Sequence, residues 1–167
     1  MGGITRSVEI TANIAIIIVS TMIVGLIAKK YSASLNAGAP HTILVGAKVS
    51  LPSMDWSNNK KSLVIALQTS CRYCSESGSF YQRLVLETGI HKVPIVAVFP
   101  QTTAEGQAFF SNLNVPITNI RQASLRSIGV QVTPAILLVD NKGEIKASWL
   151  GKLSPDKESE VLNSLIP

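Results

Sequence analysis

Nineteen consecutive residues, Ile10 to Ala28, carry no charge, and they constrain the architecture of this 167-residue chain more than any other stretch. As a helix rising about 1.5 Å per residue they cover roughly 28 Å, close to the hydrocarbon thickness of a bilayer. From Ile14 to Ala28 the only hydroxyl or amide side chains are Ser20 and Thr21. A membrane span over residues 10–28 is therefore expected, inside an N-terminal anchor of residues 1–30. Two other readings stay open. A core helix could also be this apolar. A cleaved signal peptide would have a shorter apolar region, about 7–15 residues, and a small-residue cleavage site, for which Ser32-Ala33-Ser34 would serve. Arg6 lies before the span and Lys29-Lys30 after it, so positive charge does not settle orientation.

After the anchor, residues 31–41 are rich in Ser, Ala, Gly and Asn and end near Pro40, which reads as a linker. Residues 42–167 then suffice for one globular domain with a sizeable core. The net charge is +5, but the fifteen Lys and Arg residues are scattered and aromatics make up 5% of the chain. Nucleic-acid binding needs clustered basic residues and stacking rings, so no nucleic-acid partner is expected.

Within this domain, Thr42–Val49 reads as a first strand, and Ser62–Leu67 as a central strand, being a short continuous apolar run. A helix is expected over Glu76–Glu87, stopped by Gly89, then a strand over Val93–Phe99. Next come a helix over Thr103–Leu113 with Thr103 as N-cap, a strand over Val115–Ile120 and a short helix over Gln122–Ile128. Val132–Val139 and Glu144–Leu150 form a hairpin about the turn Asp140-Asn141-Lys142-Gly143, and Pro155–Ile166 closes the chain as an amphipathic helix. Alternating strands and helices ending in a hairpin predict an α/β fold with a mixed sheet flanked by helices.

The chain has two cysteines, Cys71 and Cys74, at the junction between the central strand and the following helix. A sulfur at a helix N-terminus has its thiolate stabilised by unpaired amides and the helix dipole. Cys71 is placed there, Arg72 adds a cation that tunes the thiolate, and Cys74 comes round to the same side one turn later. This predicts Cys71 as the attacking and Cys74 as the resolving sulfur of a thiol–disulfide exchange. A structural disulfide closing so short a loop would contribute little stability. A zinc site would need two more ligands, and only His41 and His91 remain, without paired spacing, so no metal or cofactor is expected.

The segment Leu67-Gln68-Thr69-Ser70-Cys71-Arg72-Tyr73-Cys74 after an apolar strand, with Gly129-Val130-Gln131-Val132-Thr133-Pro134 and Asp140-Asn141-Lys142-Gly143 downstream, resembles the thioredoxin superfamily. The inserted elements between Thr103 and Ile120 and the N-terminal anchor are similar to its membrane-anchored TlpA/ResA-type branch. The likeness runs from about Thr42 to Ile166. It implies a thioredoxin-like mixed sheet with one N-terminal transmembrane helix, and an enzyme, a thiol–disulfide oxidoreductase. It also implies that Pro134 is cis and faces the cysteines, and that Thr133 and Pro134 bind an extended substrate. Where many thioredoxins carry a buried acid, this chain has Ile65, and no proline stands between the cysteines. Cys74 must then exchange its proton with water or another group, and the redox direction is open.

Other functions on the same scaffold would need other residues. A thiol peroxidase would carry proline and threonine where Val64 and Gln68 stand, and a copper-delivery protein would space its cysteines more widely and add a distal histidine. A non-catalytic binding module would have no need of both cysteines. Because disulfides persist outside the cytoplasm, the domain is expected on the periplasmic side of the cell membrane. Its expected partners are cysteine-containing exported proteins and a redox partner protein.

Overall fold

A computed structural model describes residues 18–25, 43, 45–51 and 54–166. The chain divides into two compact units, Met1–His41 and Thr42–Pro167. In the first, residues 18–25 are helical, and the rest of the expected span and the linker lie outside the described residues. Among the described residues no helix is long and apolar enough to cross a membrane.

The second unit is built on five strands in the order β3-β2-β1-β4-β5: β1 Lys61–Ala66, β2 Ile95–Phe99, β3 Ile120–Gln122, β4 Ala135–Asp140 and β5 Ile145–Leu150. β1 pairs parallel with β2 and antiparallel with β4, so the sheet is mixed, as expected. β2 pairs parallel with β3, and β4 and β5 form the antiparallel hairpin. Helices α1 Arg72–Glu76 and α2 Gly78–His91 follow β1, α3 Thr103–Asn112 follows β2, and α4 Pro155–Ser164 ends the unit. A 3-10 turn, Leu125–Ile128, lies between β3 and β4.

β1 runs through the centre of the sheet because both of its faces are apolar. Side chains alternate across a strand. Leu63, Ile65 and Leu67 thus join one buried cluster with Phe80, Tyr81 and Leu84 of α2, Phe109 and Phe110 of α3, and Val161 of α4. Val64 and Ala66 join the opposite cluster with Ile43, Val49, Leu51, Leu125, Ile128 and Val130. Each of the Val, Leu, Ile and Phe side chains among them contributes about 1.5–3 kcal/mol on burial. Phe99, Phe109 and Phe110 pack edge to face at 5.6–5.7 Å between ring centroids. Gly106 lets α3 approach the sheet, since a Cβ there would lie 3.0 Å from both Ile120 Cγ2 and Phe99 Cδ2.

Several expected boundaries shift. The helix expected from Glu76 begins earlier, at Arg72, breaks at Ser77, whose hydroxyl donates to the Tyr73 carbonyl at 2.8 Å, and then runs to His91. Gly89 therefore lies within α2, and the stop is Lys92 in the left-handed conformation, φ 55°. The N-cap of α3 is Thr102 instead of Thr103: its hydroxyl accepts from the Glu105 N–H at 3.2 Å while the Glu105 carboxylate accepts from the Thr102 N–H at 3.0 Å. That reciprocal pair satisfies two amides at once, which Thr103 cannot do with Gly106 as its third neighbour. Residues 115–119 are irregular and β3 starts only at Ile120, while 122–128 yields a single 3-10 turn. β4 begins at Ala135, after the proline, because a proline nitrogen has no hydrogen to give the ladder. In place of the expected first strand, the described residues show an isolated bridge between Lys48 and Glu144.

Candidate active site

β1 ends at Ala66, and the next turn carries the chain up from the sheet to Cys71, whose N–H donates to the Gln68 carbonyl at 3.1 Å. Cys71 is the N-cap of α1, with an extended backbone. Its Sγ accepts the Cys74 N–H at 3.1 Å, and its carbonyl receives the Cys74 and Ser75 amides. The two cysteines are joined as a disulfide with Cα atoms 5.2 Å apart. Cys71 is partly exposed, whereas Cys74 is fully buried in the core cluster. When the pair is reduced, the same amide donor and helix start favour a thiolate on Cys71, the sulfur that is open to solvent.

The second half of the site comes from the residues just before β4, 62 positions on from Cys71, and strand register brings it there. Ala66 pairs with Ala135. Continuing that register by one and two residues sets Pro134 beside Leu67 and Thr133 beside Gln68. The Thr133 hydroxyl does donate to the Gln68 side-chain oxygen, at 3.3 Å. The Thr133–Pro134 peptide bond is cis, and the Thr133 carbonyl oxygen lies 3.5 Å from Cys71 Sγ. Pro134 is buried and Thr133 half-buried. Cys71, Cys74, Thr133 and Pro134, the residues singled out in the sequence, therefore meet in one place.

Register also accounts for residues that sequence reasoning missed. Ala135 pairs with Leu150 across the hairpin, so Gly151 falls beside Pro134 and donates its N–H to the Pro134 carbonyl at 2.7 Å. Gly151 sits at φ +74°, where a side chain would be strained. Lys152 follows at the edge of the site, and its Nζ lies 2.8 Å from Glu76 Oε2. Glu76 also holds Arg72, with Nε 2.6 Å from Oε1. Lys152 and then Arg72, by their hydrogen bonds, keep the Glu76 carboxyl below the usual carboxylate range. The Arg72 guanidinium is thus occupied by Glu76 and turned to solvent, with 86% of the side chain exposed. The spacing of Arg72 and Glu76, four residues apart on a helix, was a signal available in the sequence. Nothing local marked Lys152. Gln101 enters too, its side-chain oxygen accepting the Thr69 N–H at 3.4 Å.

The position six residues before Cys71 is Ile65, fully buried among apolar side chains. Burial pushes the Tyr81 phenol well above its ordinary range.

No family model and no curated protein matches the sequence. Solved structures do match the fold. A chain assigned as thiol:disulfide interchange protein DsbE from Chlorobium tepidum superposes with a TM-score of 0.58 at 17% identity, covering 74% of this chain and 99% of that one. The thioredoxin domain of a thiol-disulfide oxidoreductase from Bacteroides vulgatus gives 0.58 at 15% identity, covering 75% and 100%. A secreted disulfide oxidoreductase of Mycobacterium tuberculosis, homologous to DsbE of E. coli, gives 0.51 at 12% identity, covering 76% and 99%. The domain that carries Cys71 and Cys74 has the thioredoxin-like fold.

Proposed function

We propose that this chain is a thiol–disulfide oxidoreductase, tethered to the cell membrane through residues 10–28, whose thioredoxin-like domain faces the periplasm. The layout is an anchor over 1–30, a linker over 31–41 and a catalytic domain over 42–167. The observation that carries this reading is the unequal setting of the two sulfurs: Cys71 partly exposed beside the Thr133 carbonyl, Cys74 fully buried. In the reducing direction, the Cys71 thiolate attacks one sulfur of a substrate disulfide, forms a mixed disulfide and releases the other sulfur as a thiolate. Cys74, deprotonated, then attacks Cys71 Sγ, which frees the second substrate thiolate and restores the Cys71–Cys74 bond. Two electrons pass from the pair to the substrate, and the reverse sequence oxidises substrate thiols. Thr133 and Pro134 line the approach and present backbone to an extended substrate strand. The substrates are cysteine-containing exported proteins, and a redox partner protein resets the pair.

Three observations support the cellular side of the proposal. They are the uncharged stretch from Ile10 to Ala28, the persistence of disulfides outside the cytoplasm, and a structural counterpart that is itself secreted. In the decisive experiment the full chain is mixed with dithiothreitol and then with a disulfide-bonded test protein. Exchange that disappears in Cys71→Ser supports the proposal, and a wild-type chain that exchanges with neither reagent refutes it. Thiol labelling of intact cells tests the location: Cys71 labelled after mild reduction places the domain outside, and complete protection places it inside.

A further inference from the structure

Among the described residues, charge near the cysteine pair comes from very few side chains. The segments around Cys71, residues 67–70, 100–102 and 129–134, contain no Asp, Glu, Lys, Arg or His. Charged side chains come from α1, which brings Arg72 and Glu76, and from Lys152 after β5. Tyr73, exposed beside them, is the other titratable group on α1 apart from Cys74. Glu76 is the point where the three charges meet, one carboxylate oxygen on Arg72 at 2.6 Å and the other on Lys152 at 2.8 Å. Lys152 follows Gly151, whose backbone N–H is bonded to the Pro134 carbonyl. A single carboxylate therefore links the helix that carries the cysteines to the strand end that backs the cis-proline.

We propose that Glu76 is a positioning residue of the exchange reaction, which draws Arg72 and Lys152 to itself and so withholds positive charge from the Cys71 sulfur. This rests on the reading of Cys71–Cys74 as a redox pair. With Glu76 ionised, the three side chains sum to one positive charge, and without it to two. Positive charge favours the thiolate, and a stabilised thiolate makes the reduced form more stable and the disulfide more oxidising. Glu76 thus sets the pair to be less oxidising than Arg72 and Lys152 alone would make it. A unit charge acting through water over about one helical turn changes an equilibrium about threefold. For a two-electron couple that is about 14 mV, at 29.6 mV per tenfold.

The test uses the full chain, reduced, with the Cys71 thiolate followed by its ultraviolet absorbance as pH is varied, and the potential read by equilibration with glutathione. Glu76→Gln is expected to raise the acid dissociation constant of Cys71 about threefold and shift the potential upward to match. Lys152→Gln breaks the same bridge but removes a positive charge, so it is expected to lower that constant. Glu76→Asp, which keeps the charge, returns the constant to the wild-type value. Opposite shifts in Glu76→Gln and Lys152→Gln support the inference, because a merely structural staple would move both in one direction. Shifts of the same sign, or none in Glu76→Gln, overturn it while leaving a reducible wild-type pair, and hence the proposed function, standing. A wild-type pair that dithiothreitol cannot reduce overturns both.

Discussion

Under the proposed exchange reaction Cys71 and Cys74 take different parts, because one helical turn leaves the first sulfur partly exposed and sets the second in the core. Cys71 Sγ has the Cys74 amide and the Thr133 carbonyl around it, whereas Cys74 belongs to the cluster that includes Leu67 and Phe80. In Cys74→Ser, Cys71 can still attack but nothing releases the product, so mixed disulfides with substrate proteins should accumulate on non-reducing gels. Cys71→Ser should form none and should lose exchange, because the attacking sulfur is gone. Most of this asymmetry was legible at the residue level, since a helix start next to two cysteines three apart depends only on neighbours. The setting of Arg72 was half legible. Its position beside Cys71 favoured a direct effect on the thiolate, but Glu76 takes the guanidinium, and the strength of that hold depends on Lys152, seventy-six residues further along.

At the scale of single elements, short-range hydrogen bonds decide where helices and turns begin. Thr102→Ala removes one half of the reciprocal cap of α3 and should lower the stability of the domain by about 1 kcal/mol in chemical denaturation. The turn between β4 and β5 depends on Asp140, whose carboxylate accepts from the Lys142 and Glu144 amides at 2.8 and 3.0 Å and lies 2.9 Å from Lys146. The Glu144 amide and then Lys146 hold its pKa down to about 2, against an ordinary 3.8. A carboxyl whose folded value is depressed stabilises the fold fully above its unfolded value and loses that contribution as pH falls through the folded one. The stability advantage of the wild type over Asp140→Asn should therefore be constant above about pH 5 and shrink as pH falls from about 4 to 2. Urea midpoints at pH 6, 3 and 2 would show whether it does. The turn itself was readable from Asp140-Asn141-Lys142-Gly143. The N-cap of α3 was misplaced by one residue because Thr102 and Thr103 are the same residue type, and only the partner three positions on tells them apart.

At the scale of the whole domain, one sheet separates two apolar layers. Ile65 packs with α2, α3 and α4 on one face, and Ile128 lies in the cluster on the other. Truncating either to alanine should cost about 2–5 kcal/mol, and because the sheet lies between the two, the costs should add to within about 0.5 kcal/mol in the double variant. A large deviation in equilibrium unfolding would mean that the layers share one packed core. The sequence by itself determined whatever rests on near neighbours: the apolar periods of β1 and β2, the turn of the hairpin, and the cysteine pair at a strand-to-helix junction. Only the tertiary structure decided which distant residues complete the site. Strand order and register are long-range pairings, and they set Thr133 beside Gln68 and Lys152 beside Glu76, two contacts that no local pattern encodes.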